Sequence, residues 1–236
     1  MTALELDTDL QKLAAQSRVN GIAVLGVPVV VFVVLAMWLG PPQVVPAVLG
    51  AAGWILALAL RQPVALIASR FTTKERATTV VGLASGPAEE SVRLLLVVLV
   101  LRSSPAAAWA GAGWMAIEVV MITVNVLVIA SLLTKDGPKS VEVRELLRDQ
   151  GGPQSTGPFW GVLERFSAAG LHLGFTLLIF AQPWLVLVTT VVHTLTNMLA
   201  VRYAKQSVAR VELAVLGTAI VVLAAGIAAS GIAAMG

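Results

Sequence analysis

Residues 106–133 read AAAWAGAGWMAIEVVMITVNVLVIASLL, 28 positions with one charged residue, Glu118, and no proline. A hydrocarbon layer about 30 Å thick needs roughly 20 apolar residues of helix to cross it, so this stretch predicts a membrane-spanning helix. Working outward, six further apolar stretches lie near 19–39, 44–60, 78–101, 161–181, 184–201 and 211–234. The second is short and the third begins weakly at Thr78-Thr79, which leaves room for a tilted or re-entrant segment there. The whole chain of 236 residues is 58% hydrophobic and 12% charged, with a mean hydropathy of +0.89, values foreign to water-soluble domains of this size. The expected fold class is therefore all-α: a polytopic transmembrane helix bundle of about seven helices, residues 1–236 forming a single integral membrane domain.

Loop charge predicts which way the bundle faces. With seven spans, thirteen lysines and arginines fall in the N-terminal tail and in the 61–77, 134–160 and 202–210 loops, and one, Arg102, falls on the other side. Cytoplasmic loops carry the excess of Lys and Arg, so the N-terminus is expected in the cytoplasm and the C-terminus outside. Residues 1–18 read as a cytoplasmic tail; Glu5, Asp7 and Asp9 beside Lys12 and Arg18 do not form the basic start of a cleaved signal peptide. Residues 134–160 read as a cytoplasmic connector, with Gly137-Pro138 and Gly157-Pro158 around a short surface helix over Val141–Asp149. The formal charge of +3 is scattered over short loops, so no nucleic acid partner is expected and the partner is the lipid bilayer. The chain has no cysteine, which excludes disulfides and thiolate chemistry. It is expected to be a multi-pass protein of the cell membrane, plasma or inner.

Polar residues inside these spans carry the functional information. Glu89, Glu90 and Arg93 lie in the third span, Glu118 in the fourth, Glu164, Arg165 and His172 in the fifth, and His193 and Asn197 in the sixth. Each charge near the bilayer centre costs about 2.5–3.5 kcal/mol even on lenient insertion scales, so they are expected to converge on one internal site. Glu89 and Arg93 are four apart and share a helix face, with Glu90 on its flank; His193 and Asn197 are four apart as well. Gly170 and Gly174, on the side of the fifth span away from His172, are expected to pack against a neighbouring helix. Gly86-Pro87 is expected to kink or break the third span and admit water. Glu89 and His193 fall near mid-membrane and Glu164 near the cytoplasmic end, which predicts a funnel open toward the cytoplasm.

A carboxylate beside two imidazoles and an amide suits hydrolysis, with the glutamate as general base. Two versions stay open: His172, His193 and Glu89 as ligands of a catalytic zinc ion with an open position, or the same histidines and Asn197 as hydrogen-bond donors to the oxyanion without a metal. Neither HExxH nor GxSxG occurs in the chain. The same residues would also serve a proton- or ion-coupled transporter, or a non-catalytic scaffold in which the polar cluster locks helices together.

Glu89-Glu90-Ser91-Val92-Arg93, His172 and His193-Thr194-Leu195-Thr196-Asn197 resemble, in order, the EExxxR, FxxxH and HxxxN signatures of the intramembrane CAAX prenyl protease and bacteriocin-processing superfamily. The arginine is one residue closer to the acids here, and Phe166 lies six residues before His172 rather than four. With the Gly111-Ala112-Gly113-Trp114 run leading to Glu118 and the Glu164-Arg165-xx-Ala168-xxx-His172 run, the pattern resembles the YhfC-type membrane peptidases within that superfamily, over roughly 80–200. The resemblance implies an intramembrane endopeptidase acting on a membrane-associated peptide or protein. It implies that Glu89 activates water, that Glu90 and Arg93 hold Glu89 in place, and that His172 and His193 bind metal or water and the substrate carbonyl. Asn197 would stabilise the oxyanion, and Glu118 and Glu164 would be further acids of the site.

Overall fold

The computed structural model describes residues 3–149, 157–203 and 206–234, which are almost entirely helical, with no strand among them. In chain order the helices are α1 (Ala3–Val24), α2 (Gly26–Leu39), α3 (Val44–Phe71), α4 (Lys74–Leu99), α5 (Ser104–Leu133), α6 (Pro138–Asp149), α7 (Pro158–Ala181), α8 (Val186–Tyr203) and α9 (Val208–Ser230). Their starts are legible chemically: the side chains of Thr73, Ser103 and Ser207 accept the backbone N–H of the third residue onward and so cap α4, α5 and α9.

Among the described residues six stretches are long and apolar enough to cross a membrane: Thr8–Leu39, which joins α1 to α2, Val44–Phe71, Ser104–Leu133, Pro158–Ala181, Pro183–Ala200 and Val208–Ser230. The remaining expected span corresponds to α4. It has the length, 26 residues, but Glu89, Glu90 and Arg93 sit in its middle and Lys74, Glu75 and Arg76 at its start.

The second expected span proves too short. α3 does not end at residue 60 but runs through Arg61-Gln62-Pro63 to Phe71, so the connection to α4 is only Thr72-Thr73. Proline inside a membrane helix is tolerated because neighbouring groups can satisfy the carbonyl it leaves free. Arg61 is thereby carried into the bundle rather than into a loop, and removing it from the thirteen cations on the basic side leaves twelve. The expected break at Gly86-Pro87 does not occur either, since α4 continues through it. A Cβ on Gly86 would collide with the Thr194 side chain and the Thr190 carbonyl, so this glycine lets α4 and α8 touch.

Residues 3–18 of the expected cytoplasmic tail are helical and form the first turns of α1. Leu10 and Ala14 are buried against Ala130 and Leu133 of α5, with Val143 and Leu147 of α6 alongside. The expected connector helix is α6, three residues longer at its start than Val141–Asp149, and residues 150–156 of the connector lie outside the described residues. Arg144 fixes α6 beneath α5 by donating to the carbonyls of Leu133 and Lys135, which the helix end leaves without partners.

α5 and α7 form the interior of the bundle. Trp109, Trp114 and Met115 of α5 and Phe175, Leu177 and Ile179 of α7 are almost wholly buried. Association of helices in lipid relies on close packing, and small residues allow it here. A Cβ on Gly113 would overlap the Ala47 carbonyl of α3, and one on Gly174 would press on Val222 and Leu223 of α9. Large apolar side chains instead face outward on α2, α8 and α9, among them Val33, Met37, Val191, Leu195, Ile220 and Val221, as a lipid-facing surface requires.

Candidate functional site

The intramembrane charges expected to converge do so. Glu89, Glu90, Arg93, Arg165, His172 and His193 are each less than a tenth exposed, and together with the partly exposed Glu118 of α5 they come from four helices. They form one chain of alternating charge that begins on a fifth helix, α3.

At its start Arg61 of α3 forms an ion pair with Glu89, its Nη1 lying 3.3 Å from Oε1. Glu89 Oε2 accepts from the indole Nε1 of Trp114 at 3.3 Å, and His193 Nε2 lies 3.8 Å from that same oxygen. His193 is turned into this position by two contacts: its Nδ1–H donates to Glu90 Oε1 at 2.8 Å, and its ring stacks on Phe175 at 5.5 Å between centroids. A carboxylate only accepts, so Nδ1 carries a proton toward Glu90, and this turns Nε2 toward Glu89.

Arg93 is fully buried and all its nitrogens are engaged. Nε donates to both oxygens of Glu90 at 3.2 Å, Nη1 to Thr176 Oγ1 at 2.8 Å and to the His172 carbonyl at 3.4 Å, and Nη2 to His172 Nδ1 at 3.0 Å. Its guanidinium also lies 4.2 Å above the Trp114 ring. Because His172 Nδ1 accepts from a guanidinium, its Nε2 carries the proton and donates to Glu118 Oε2 at 2.6 Å. Glu118 Oε1 in turn accepts from Arg165 Nη1 at 2.9 Å, and Arg165 Nη2 donates to Glu164 at the rim, where the Glu164 side chain is 48% exposed.

These groups line a cavity of about 210 Å³ whose wall includes Arg61, Glu89, Glu118, Glu164, Arg165, His172, His193 and Asn197. That volume accepts several water molecules, and the polar partners to hold them are present. Asn197 lies farther along α8 and donates from Nδ2 to Ser85 Oγ of α4 at 3.2 Å, so it flanks the cavity rather than joining the charged chain. A second hollow, a groove of about 570 Å³ between α8 and α9, is lined by Leu199, Tyr203, Arg210, Val211 and Ala214. It shares Thr196 and Val215 with the polar cavity.

The partners differ from the expected ones at Glu89. The spacing placed Arg93 on its face, yet Arg93 binds Glu90, the residue three before it, while Glu89 is held by Arg61 and Trp114. Two cavity residues have no motif around them in the sequence, Arg61 and Glu212 of α9, which lines the cavity near Glu164 and Arg165; Ser85, which binds Asn197 beside the cavity, has none either. The apolar run Val64-Ala65-Leu66-Ile67-Ala68 beyond Pro63 was the one signal that α3, and Arg61 with it, stays inside.

The donor set was tested against a zinc ion. Both His172 nitrogens are engaged, by Arg93 and by Glu118, and His193 offers one nitrogen. Among the described residues no group of three or more His, Asp or Glu side chains is set around a common point for a metal ion. As arranged, the residues do not fit a His2Glu centre.

Comparison with protein-family models, with curated proteins and with solved structures returns no match.

Proposed function

We propose that the chain is an intramembrane endopeptidase of the YhfC type that hydrolyses a membrane-associated peptide, and that α4 is its seventh crossing, with the N-terminus in the cytoplasm and the protein in the cell membrane. The observation that carries this reading is the pair Glu89 Oε2 and His193 Nε2, 3.8 Å apart on the cavity wall. The gap exceeds a direct hydrogen bond; in the proposal His193 is neutral and one water between them donates to both. Each member is braced from behind, Glu89 by Arg61 and Trp114 and His193 by Glu90 and Phe175. Such bracing is what a preorganised general base needs.

In the proposed reaction a water gives one proton to Glu89 while its oxygen bonds to the scissile carbonyl carbon. The tetrahedral intermediate then breaks its C–N bond, and the amine leaves with the proton returned by Glu89. Of the two versions open at the level of sequence, the proposal takes the one without a metal, because both ring nitrogens of His172 are engaged, Nδ1 by Arg93 and Nε2 by Glu118. Substrate enters the cavity from the cytoplasm past Glu164, or from the lipid through the α8–α9 groove that shares Thr196 and Val215 with it.

The test is Glu89→Gln. Membranes holding this variant should accumulate at least one uncut peptide that the wild type cleaves, with turnover lowered about 10²–10⁴-fold. Identical membrane peptides in the two strains would reject the hydrolytic reading. A second reading, proton-coupled transport, rests on the chain of charged and imidazole groups from Arg61 to Glu164, in which a water would bridge the 3.8 Å between Glu89 and His193. It requires proton flux in vesicles of purified protein that is lost in Glu118→Gln.

A further inference from the structure

We propose that Arg61 is a catalytic residue of this site, the group that binds the substrate carbonyl oxygen as it becomes an oxyanion; this rests on the hydrolytic reading above. Hydrolysis at Glu89 places negative charge on an oxygen one bond from the carbon that the water attacks. That oxygen therefore needs donors already in position beside the base.

The cavity offers few groups that can do this. Arg93 is behind the wall with every nitrogen engaged, by Glu90, Thr176 and His172. Both Nη atoms of Arg165 are held, one by Glu118 and one by Glu164. His172 gives its one proton to Glu118 and His193 gives its own to Glu90. Asn197, the residue expected for this task, donates to Ser85.

Arg61 differs from all of these. It lines the cavity with 17% of its side chain exposed, makes a single ion pair through Nη1, and keeps Nε shut from solvent with no hydrogen-bond partner. Arg144, which only ties α6 to the end of α5, also leaves its Nε unpaired, so what sets Arg61 apart is its place on the cavity wall beside the general base. Its planar fork lets one nitrogen remain on Glu89 Oε1 while another meets the carbonyl oxygen. The water held between Glu89 Oε2 and His193 is on the other oxygen of that carboxylate, so nucleophile and oxyanion sites flank the base.

The experiment begins with the peptides that accumulate in Glu89→Gln membranes, synthesised as fluorogenic probes and given to purified wild type, Arg61→Met, Arg61→Lys and Arg61→Ala in vesicles. Arg61→Met should lower kcat about 10²–10³-fold with KM little changed. Arg61→Lys should fall between, since it keeps charge and loses the fork, and guanidinium added to Arg61→Ala should restore part of kcat. A purely structural arginine would instead lower the melting temperature, move kcat and KM together and give no rescue, which overturns the assignment. Wild-type kcat in Arg61→Met beside an inactive Glu89→Gln would overturn it alone, whereas normal processing in Glu89→Gln would remove the hydrolytic reading and this inference with it.

Discussion

Glu89 and Glu90 are neighbours in the chain with opposite duties in the structure. Glu90 is fully buried, bound by both Arg93 and His193, whereas Glu89 reaches the cavity wall and is bound at its edges by Arg61 and Trp114. Removing one partner of a buried ion pair leaves an uncompensated charge, so Glu90→Gln should destabilise the fold by about 3–5 kcal/mol. An amide at position 89 keeps an oxygen for Trp114 or Arg61 and sits beside water, so Glu89→Gln should cost about 1 kcal/mol or less. Thermal unfolding of the two variants in one detergent checks this, with the prediction that stability is lost at 90 and turnover at 89. Equal melting temperatures would show that the two acids share the load.

At the scale of the helix, the α7–α9 contact sets the position of His172. Gly174 lies half a turn beyond the histidine, and a Cβ there would come within 2.7 Å of Val222 Cγ1 and of its carbonyl oxygen. Gly174→Ala must therefore push α9 away, and overpacking of this kind costs about 1–3 kcal/mol. Gly217 of α9 supplies the control, because nothing lies within 4 Å of an added Cβ. Gly217→Ala should change stability by less than about 1 kcal/mol, with the gain in helix propensity on its side. Unfolding midpoints in detergent compare them directly. α3 makes a related point: its continuation through Pro63 is what delivers Arg61 to Glu89, so a site residue here depends on where a helix ends rather than on any motif.

Across the whole molecule, the distribution of charge and the path of the chain make a topological prediction. Lys139 opens α6 and Gln182 follows α7, and both are exposed. With the N-terminus cytoplasmic, they face opposite sides of the membrane. The chain has no cysteine, so Lys139→Cys and Gln182→Cys each provide a single label site. In intact cells a membrane-impermeant maleimide should react with Gln182→Cys and spare Lys139→Cys, and inside-out vesicles should reverse the result. Labelling of both from one side would change the number of crossings, and with it the side on which the cavity opens.

How much of this was legible without coordinates follows from the range of each interaction. Composition and apolar length pointed to an all-helical membrane chain with about seven spans, because the energy of burying a helix in lipid is summed along consecutive residues; the described residues are helical and hold six stretches fit to cross, with the charged α4 as the difference. The cost of intramembrane charge likewise forced Glu89, Glu90, Arg93, Glu118, Arg165, His172 and His193 inward, and they meet. Only the tertiary structure decided who pairs with whom. Helical spacing places Glu89 and Arg93 on one face, but the guanidinium follows the strongest set of acceptors within reach, and these are Glu90, Thr176 and His172. Arg61 joins Glu89 across 28 positions of chain, a contact made by helix packing in three dimensions and marked by no local pattern.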